Sequence, residues 1–313
     1  EGAIADLEEG IRIARKYDDR YQASVLLFLL GNRKMRVDVN ESWQYFDEAF
    51  RTADSIRHIQ GAAFAINSLA IVARIRGEYD LALQSIFRAR EMLVDAGVWT
   101  GFTALNCSRV YYSMQDGSQA LLWARTTSEE MGDSGAIVSV FERTRALILF
   151  GRLSDASSEL KTANELVLKD SREEYFGQYK YVTGLLEVAE GKTLEGISSL
   201  EEALNIFEQT FNEGLVVPCL VDLAKAEVKN YDIGGDLDTS GPWMAKLEQR
   251  ARERDYPGIL MEHALLKAEF QMKQGTPEAA RKTLSDALNI YDSPSVKTLR
   301  TRILGRIQEI PII

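Results

Sequence analysis

Apolar residues recur along this chain with a helical period, and the recurrence is itself repeated. In "AAFAINSLAIVARIR" the residues Phe64, Leu69, Val72 and Ala73 fall on one face of a 3.6-residue helix. Gly77 is placed to stop that helix, because glycine takes a left-handed terminal conformation without steric cost. Asp80 is placed to cap a second helix, on which Ala82, Ile86 and Ala89 share a face. The pattern predicts two helices joined by a tight turn. Ala70, Ala82 and Ala89 would let the helix axes approach to about 8–10 Å, where bulky side chains would hold them apart.

The same marks return through the chain. Gly77, Ala82, Ile86 and Ala89 are matched by Gly151, Ala156, Leu160 and Ala163, by Gly191, Gly196, Leu200 and Ala203, and by Gly275, Ala280, Leu284 and Ala287. A looser copy has Gly117, Ala120, Ala124 and Thr127. Ser42, Phe46 and Ala49, and Ala3, Leu7 and Gly10, keep the spacing upstream, as Met244, Glu248 and Ala251 do downstream. The first mark of each unit stands at 3, 42, 82, 120, 156, 196, 244 and 280, which gives periods of 39, 40, 38, 36, 40, 48 and 36 residues. A self-similar period in this range marks a repeat array.

The small residues and the Gly-x-Tyr of "LAIVARIRGEYDLALQSIFRA" resemble tetratricopeptide repeats. The match is good at Leu69, Ala70, Gly77, Tyr79, Ala82, Ile86 and Ala89, and poor around Gly117 and Met244. The units are longer than the usual 34 residues, and are similar to the roughly 40-residue units of kinesin light chains and of large bacterial and archaeal regulators. The resemblance covers nearly the whole chain. It implies an all-α, right-handed superhelical solenoid of about seven and a half helix pairs plus a C-terminal capping helix, read as one domain over 1–313. The expected boundaries are a lone second helix at 1–17, repeats at 20–57, 59–94, 98–131, 134–169, 172–209, 213–255 and 258–292, and a cap helix at 295–308.

Because the first unit lacks its first helix, an apolar face is expected at that end, covered by upstream residues or by end-to-end self-association. At the other end Val296, Leu299, Ile303 and Ile307 form one stripe, with Lys297, Arg300, Arg302 and Arg306 on a solvated face. The 48-residue period carries "KNYDIGGDLDTSGP". Its Asp232, Asp236 and Asp238 do not follow the calcium-loop template, and an inserted loop is expected. Pro242 suits the first turn of the helix that follows, with Ser240 or Gly241 as its cap.

Composition narrows the function. With 37 Lys and Arg against 47 Asp and Glu, the 313-residue chain has a formal charge of −10 and offers no general attraction to nucleic acid or anionic membrane. Cys107 and Cys219 stand outside any CxxC or Cys/His cluster and are expected as reduced, buried residues of a cytoplasmic protein. The two histidines, His58 and His263, make no zinc pattern, and the sequence has neither a phosphate-binding loop nor a nucleophile elbow. No catalytic residue, cofactor or metal is therefore assigned, and the chain is read as a non-enzyme.

The resemblance places ligands along the inner wall built by the first helix of each unit. Spacing maps Phe64, Asn67, Ile71 and Arg74 to that wall, then Phe102, Leu105, Arg109 and Tyr112, then Val138, Phe141, Arg145 and Ile148, then Gln178, Tyr181, Leu185 and Val188. The candidate contacts are Phe64, Asn67, Ile71, Arg74, Phe102, Asn106, Arg109, Tyr112, Phe141, Arg145 and Tyr181. Arg109 and Arg145 hold equivalent positions and would stack as a basic ladder for a carboxylate, while the aromatics clamp apolar side chains and the asparagines meet a peptide backbone. The plain alternative for Arg109 is an ion pair with a neighbouring acid such as Asp116. The expected partner is a protein or peptide, an acidic one included, with no nucleic acid and no membrane. The expected role is a protein-interaction scaffold binding a peptide or partner domain in the concave groove. The alternative is the sensor or oligomerisation arm of a larger signalling ATPase or transcription regulator, binding a small effector.

Overall fold

The computed structural model describes residues 2–170, 172–231 and 241–311. These residues form sixteen α-helices and no strand. The first is α1 (Gly2–Lys16), followed by α2 (Arg20–Lys34) with α3 (Val39–Ser55), α4 (Ile59–Ile75) with α5 (Tyr79–Asp95), and α6 (Gly101–Ser113) with α7 (Gly117–Met131). Next are α8 (Ala136–Leu149) with α9 (Leu153–Val167), α10 (Glu173–Ala189) with α11 (Thr193–Gln209), and α12 (Glu213–Asn230) with α13 (Pro242–Glu253). The last are α14 (Pro257–Lys273) with α15 (Pro277–Ile290), and α16 (Lys297–Glu309). Each helix packs on its successor, so a lone helix, seven pairs and a terminal helix make one solenoid.

The repeated marks do the work their chemistry suggests. Gly77 sits at φ +79°, and its N–H and that of Glu78 bond back to Arg74 and Ala73 to close the end of α4. Ala82, Ile86 and Ala89 are fully buried, as are Ala120, Ala124, Ala156, Ala163, Leu200, Ala203, Ala280, Leu284 and Ala287. At the α10–α11 contact a Cβ on Gly184 would lie 2.7 Å from the Gly196 carbonyl oxygen, so here only glycine fits.

The solenoid also closes on itself. The even-numbered helices form the inner wall, and α12 packs on both α10 and α4. The next turn of the chain then lies on the first. The N–H of Gly258 donates to Arg76 O at 3.1 Å, and Asn40 Nδ2 donates to Arg254 O at 2.6 Å. Tyr291 donates to Glu78 at 3.1 Å. Asp80 does not cap its own helix, as its position suggested. It accepts from the N–H and hydroxyl of Thr298 at 2.8 and 2.7 Å, and so caps α16 on the neighbouring turn.

At the N-terminal end Ile13 of α1 is 44% exposed and Tyr17, just beyond that helix, 72%. At the other end Val296, Leu299 and Ile303 are buried as the apolar stripe requires. The opposite face is less solvated than expected: Arg302 reaches Glu262 at 2.6 Å, and Arg300 donates to the carbonyls of Leu288 and Tyr291. Gly241 is the N-cap of α13 with Pro242 in its first turn, while Asp232, Asp236, Asp238 and Ser240 lie outside the described residues.

Candidate functional site: the inner wall

The residues mapped to the inner wall form successive tiers along the inner helices. The first tier is aromatic. Phe64 of α4 meets Phe102 of α6 edge-on with centroids 5.0 Å apart; Phe28 of α2 lies 6.4 Å from Phe64, and Trp99 lies 5.6 Å from Phe102. Phe64 and Phe102 are half-buried and Trp99 is 49% exposed, so this row of rings meets solvent. Phe141 is buried and faces Tyr175 instead.

Next comes an amide pair. Asn106 Nδ2 donates to Asn67 Oδ1 at 3.1 Å, and both side chains are buried. Ile71, half-buried, packs against the main apolar core and has no polar role.

The charged tier follows. Arg109 Nε donates to Glu142 Oε1 at 2.9 Å, and Arg145 donates to the other oxygen of the same carboxylate. The acid that Arg109 finds is thus Glu142 from the next unit, whereas Asp116 caps α7. Burial opposes ionisation of Glu142, but Arg145 and Arg109 outweigh it and keep its pKa below the usual range. The guanidinium of Arg145 stacks over Tyr112 and Tyr181, at 5.2 and 5.6 Å from the ring centroids.

The innermost tier joins α4, α6 and α10 to α12. Tyr112 and Tyr181 both donate to Asp222 Oδ2 of α12, at 3.0 and 2.6 Å, and Lys225 pairs with the other oxygen at 2.9 Å. Burial first, and then the Asp222 charge, push both phenol pKa values well up, so the rings remain proton donors. Arg74 has a different acceptor. Pro218 lies inside α12 and has no N–H for the carbonyl four residues earlier, that of Gly214. Arg74 Nη2 fills the vacancy at 2.9 Å. Burial, and then repulsion from Arg109 and Arg145, lower the Arg74 pKa to about 10.

The fold is similar to a crystal structure of a Rap protein complexed with competence and sporulation factor, with a TM-score of 0.53, 13% identity, and coverage of 99% of this chain and 98% of that one. The fold is a tetratricopeptide-type solenoid. A tetratricopeptide repeat protein from Parabacteroides merdae aligns over 97% of this chain and 100% of its own, at 14% identity and a TM-score of 0.41. No protein-family model and no curated protein matches the sequence.

The solenoid therefore brings together Phe64 with Phe102, Asn67 with Asn106, Arg109 with Arg145, and Tyr112 with Tyr181. Sequence spacing missed the residues that join them. Glu142 stands three before Arg145 and Asp222 three before Lys225, both helix-neighbour spacings that were legible. Phe28 and Trp99 extend the aromatic row, and Pro218 is the sequence sign of the carbonyl that Arg74 completes. Among the described residues no cluster of three His, Cys, Asp or Glu side chains could hold a metal ion. Among the same residues no helix is long and apolar enough to cross a membrane.

Proposed function

We propose that this chain is a non-catalytic protein-interaction scaffold that binds a peptide, or a segment of a partner protein, along its inner wall. The observation that carries this reading is the row of half-exposed rings Phe28, Phe64, Phe102 and Trp99, which leads to a cluster with excess positive charge. Rings of this kind supply apolar contact at small entropic cost, and arginines beside them favour an acidic ligand. Arg109, half-buried, is the outermost cation of that cluster; Arg74, Tyr112, Arg145 and Tyr181 lie deeper and shape the wall. The similar Rap structure is a complex with competence and sporulation factor, which supports a protein or peptide as the partner class. A cytoplasmic location accords with the two free, buried cysteines.

A photocrosslinking amino acid in place of Trp99 or Phe102, compared with one in place of the outward-facing Leu194, tests the reading. Partner adducts are expected from positions 99 and 102 and not from 194. Adducts from 194 alone, or equally from all three, would move the site off the inner wall.

A second reading, the sensor or oligomerisation arm of a larger regulator, is favoured by one feature. Ile13, Tyr17, Tyr21 and Leu29 are large apolar side chains left exposed at the α1–α2 end, where end-to-end self-association would cover them. Light scattering across a concentration series decides it: a monomer at all concentrations removes the oligomerisation arm.

A further inference from the structure

The interior of the solenoid carries a charge imbalance that its own side chains do not settle. Arg74, Arg109, Arg145 and Lys225 meet there with two carboxylates, Glu142 and Asp222. Glu142 is committed to Arg109 and Arg145, one oxygen each. Asp222 is committed to two tyrosine hydroxyls and Lys225. Arg74 is left with a neutral acceptor, the Gly214 carbonyl, although only 6% of its surface is exposed, and its Nε has no partner at all. A guanidinium taken out of water without a counter-charge is strongly disfavoured, and such groups are ordinarily paired.

Beside it is a small, partly open chamber of about 20 Å³, whose lining includes Arg74, Tyr79, Tyr112, Pro218, Asp222 and Lys225. We propose that this chamber holds one chloride-sized anion, bound by Arg74 and Lys225, which ties α4 to α12. The volume selects the class of ligand. So small a space favours a body of water or halide size over a phosphate or a peptide terminus. A water molecule would fill the space but leave the excess charge in place. The Asp222 carboxylate borders the chamber with its oxygens bonded to three donors, and its charge is opposed there by two cations, Arg74 and Lys225. The ion completes α12 against the first turn of the solenoid, whether or not the inner wall binds a peptide.

The test uses the full chain, freed of halide by dialysis into a methanesulfonate buffer and titrated with sodium chloride at constant ionic strength. Calorimetry is expected to show one chloride per chain, with binding at least tenfold weaker in Arg74→Gln and several-fold weaker in Lys225→Met. A crystal grown in bromide is expected to show an anomalous peak within hydrogen-bonding distance of Arg74. That arm needs only the unaltered protein, so it decides the matter if Arg74→Gln fails to fold. Absence of the bromide peak, chloride binding unchanged in Arg74→Gln, or heat with acetate but none with chloride would each overturn the proposal.

Discussion

Gly258 and Gly305 invite the same substitution with opposite results. Replacing a helical glycine by alanine ordinarily stabilises by about 0.5–1 kcal/mol, because the unfolded chain has less freedom to lose. At Gly305, exposed on α16, a Cβ would meet nothing within 4 Å, and that gain is expected in full. At Gly258, in the first turn of α14, the Cβ would lie 2.7 Å from Gly77 Cα and closer still to the Gly77 carbonyl. Carbon atoms pack at about 3.5–4.0 Å, so the two turns of the solenoid would have to separate by roughly 1 Å. Both sides of the contact are backbone, and no rotamer change relieves it. The separation strains the Gly258–Arg76 hydrogen bond, and overpacking of this kind costs about 1–3 kcal/mol. After the helix-propensity gain is subtracted, Gly258→Ala should lose about 1–2 kcal/mol, leaving it roughly 2–3 kcal/mol below Gly305→Ala. Urea denaturation followed by far-UV circular dichroism measures both. Equal stability of the two variants would show that the turns are not in contact in solution.

Two further outcomes follow from buried titrating groups. Burial pushes the Cys107 thiol up to about 12 and Cys219 well above its ordinary value, so neither should react with a thiol reagent near pH 8 until denaturant is added; prompt labelling of the native chain would contradict a closed interior. His263 is held below its usual value chiefly by burial, with Lys267 and Arg252 acting in the same sense and Glu248, 3.7 Å away, opposing them. The folded state therefore binds fewer protons than the unfolded one. The stability His263 contributes is present above the unfolded value of about 6.5 and is lost as pH falls below it. The difference in stability between the wild-type chain and His263→Gln should shift against the wild type from about pH 7.5 to about pH 5.5, and a pH-independent difference would refute the assignment.

Helix pairing was legible because its determinants are local. Gly77 ends α4, Ala82 and Ala89 seat α5 against it, and the same marks recur at a nearly constant interval. The closing of the solenoid left no such trace. Arg74 meets Gly214 across 140 residues and Asp80 meets Thr298 across 218, separations on which no periodicity bears. Asp80 shows the consequence most clearly. An aspartate just after a helix-stopping glycine has the position of a cap for its own helix, and only the neighbouring turn reveals that it caps another. The inner wall was likewise legible as a row of positions but not as a network. Arg109 and Arg145 read as two cations in register, and the carboxylate between them, Glu142, belongs to the same helix as Arg145.

A stack of helix pairs that touch only their neighbours behaves as a one-dimensional chain, in which end units fray alone and damage stays local. Pro218 removes this chain from that regime. By leaving the Gly214 carbonyl without its intrahelical donor, it makes α12 rely on a side chain of α4 for a complete hydrogen-bond ladder. The sixth pair thus cannot reach its full stability before the second is in place. Loss of the second withdraws support from the sixth directly, as well as from the third pair that packs on it. In hydrogen exchange this should appear as one cooperative unit that takes in amides of α4 and α12 together, with protection falling in both when either is weakened.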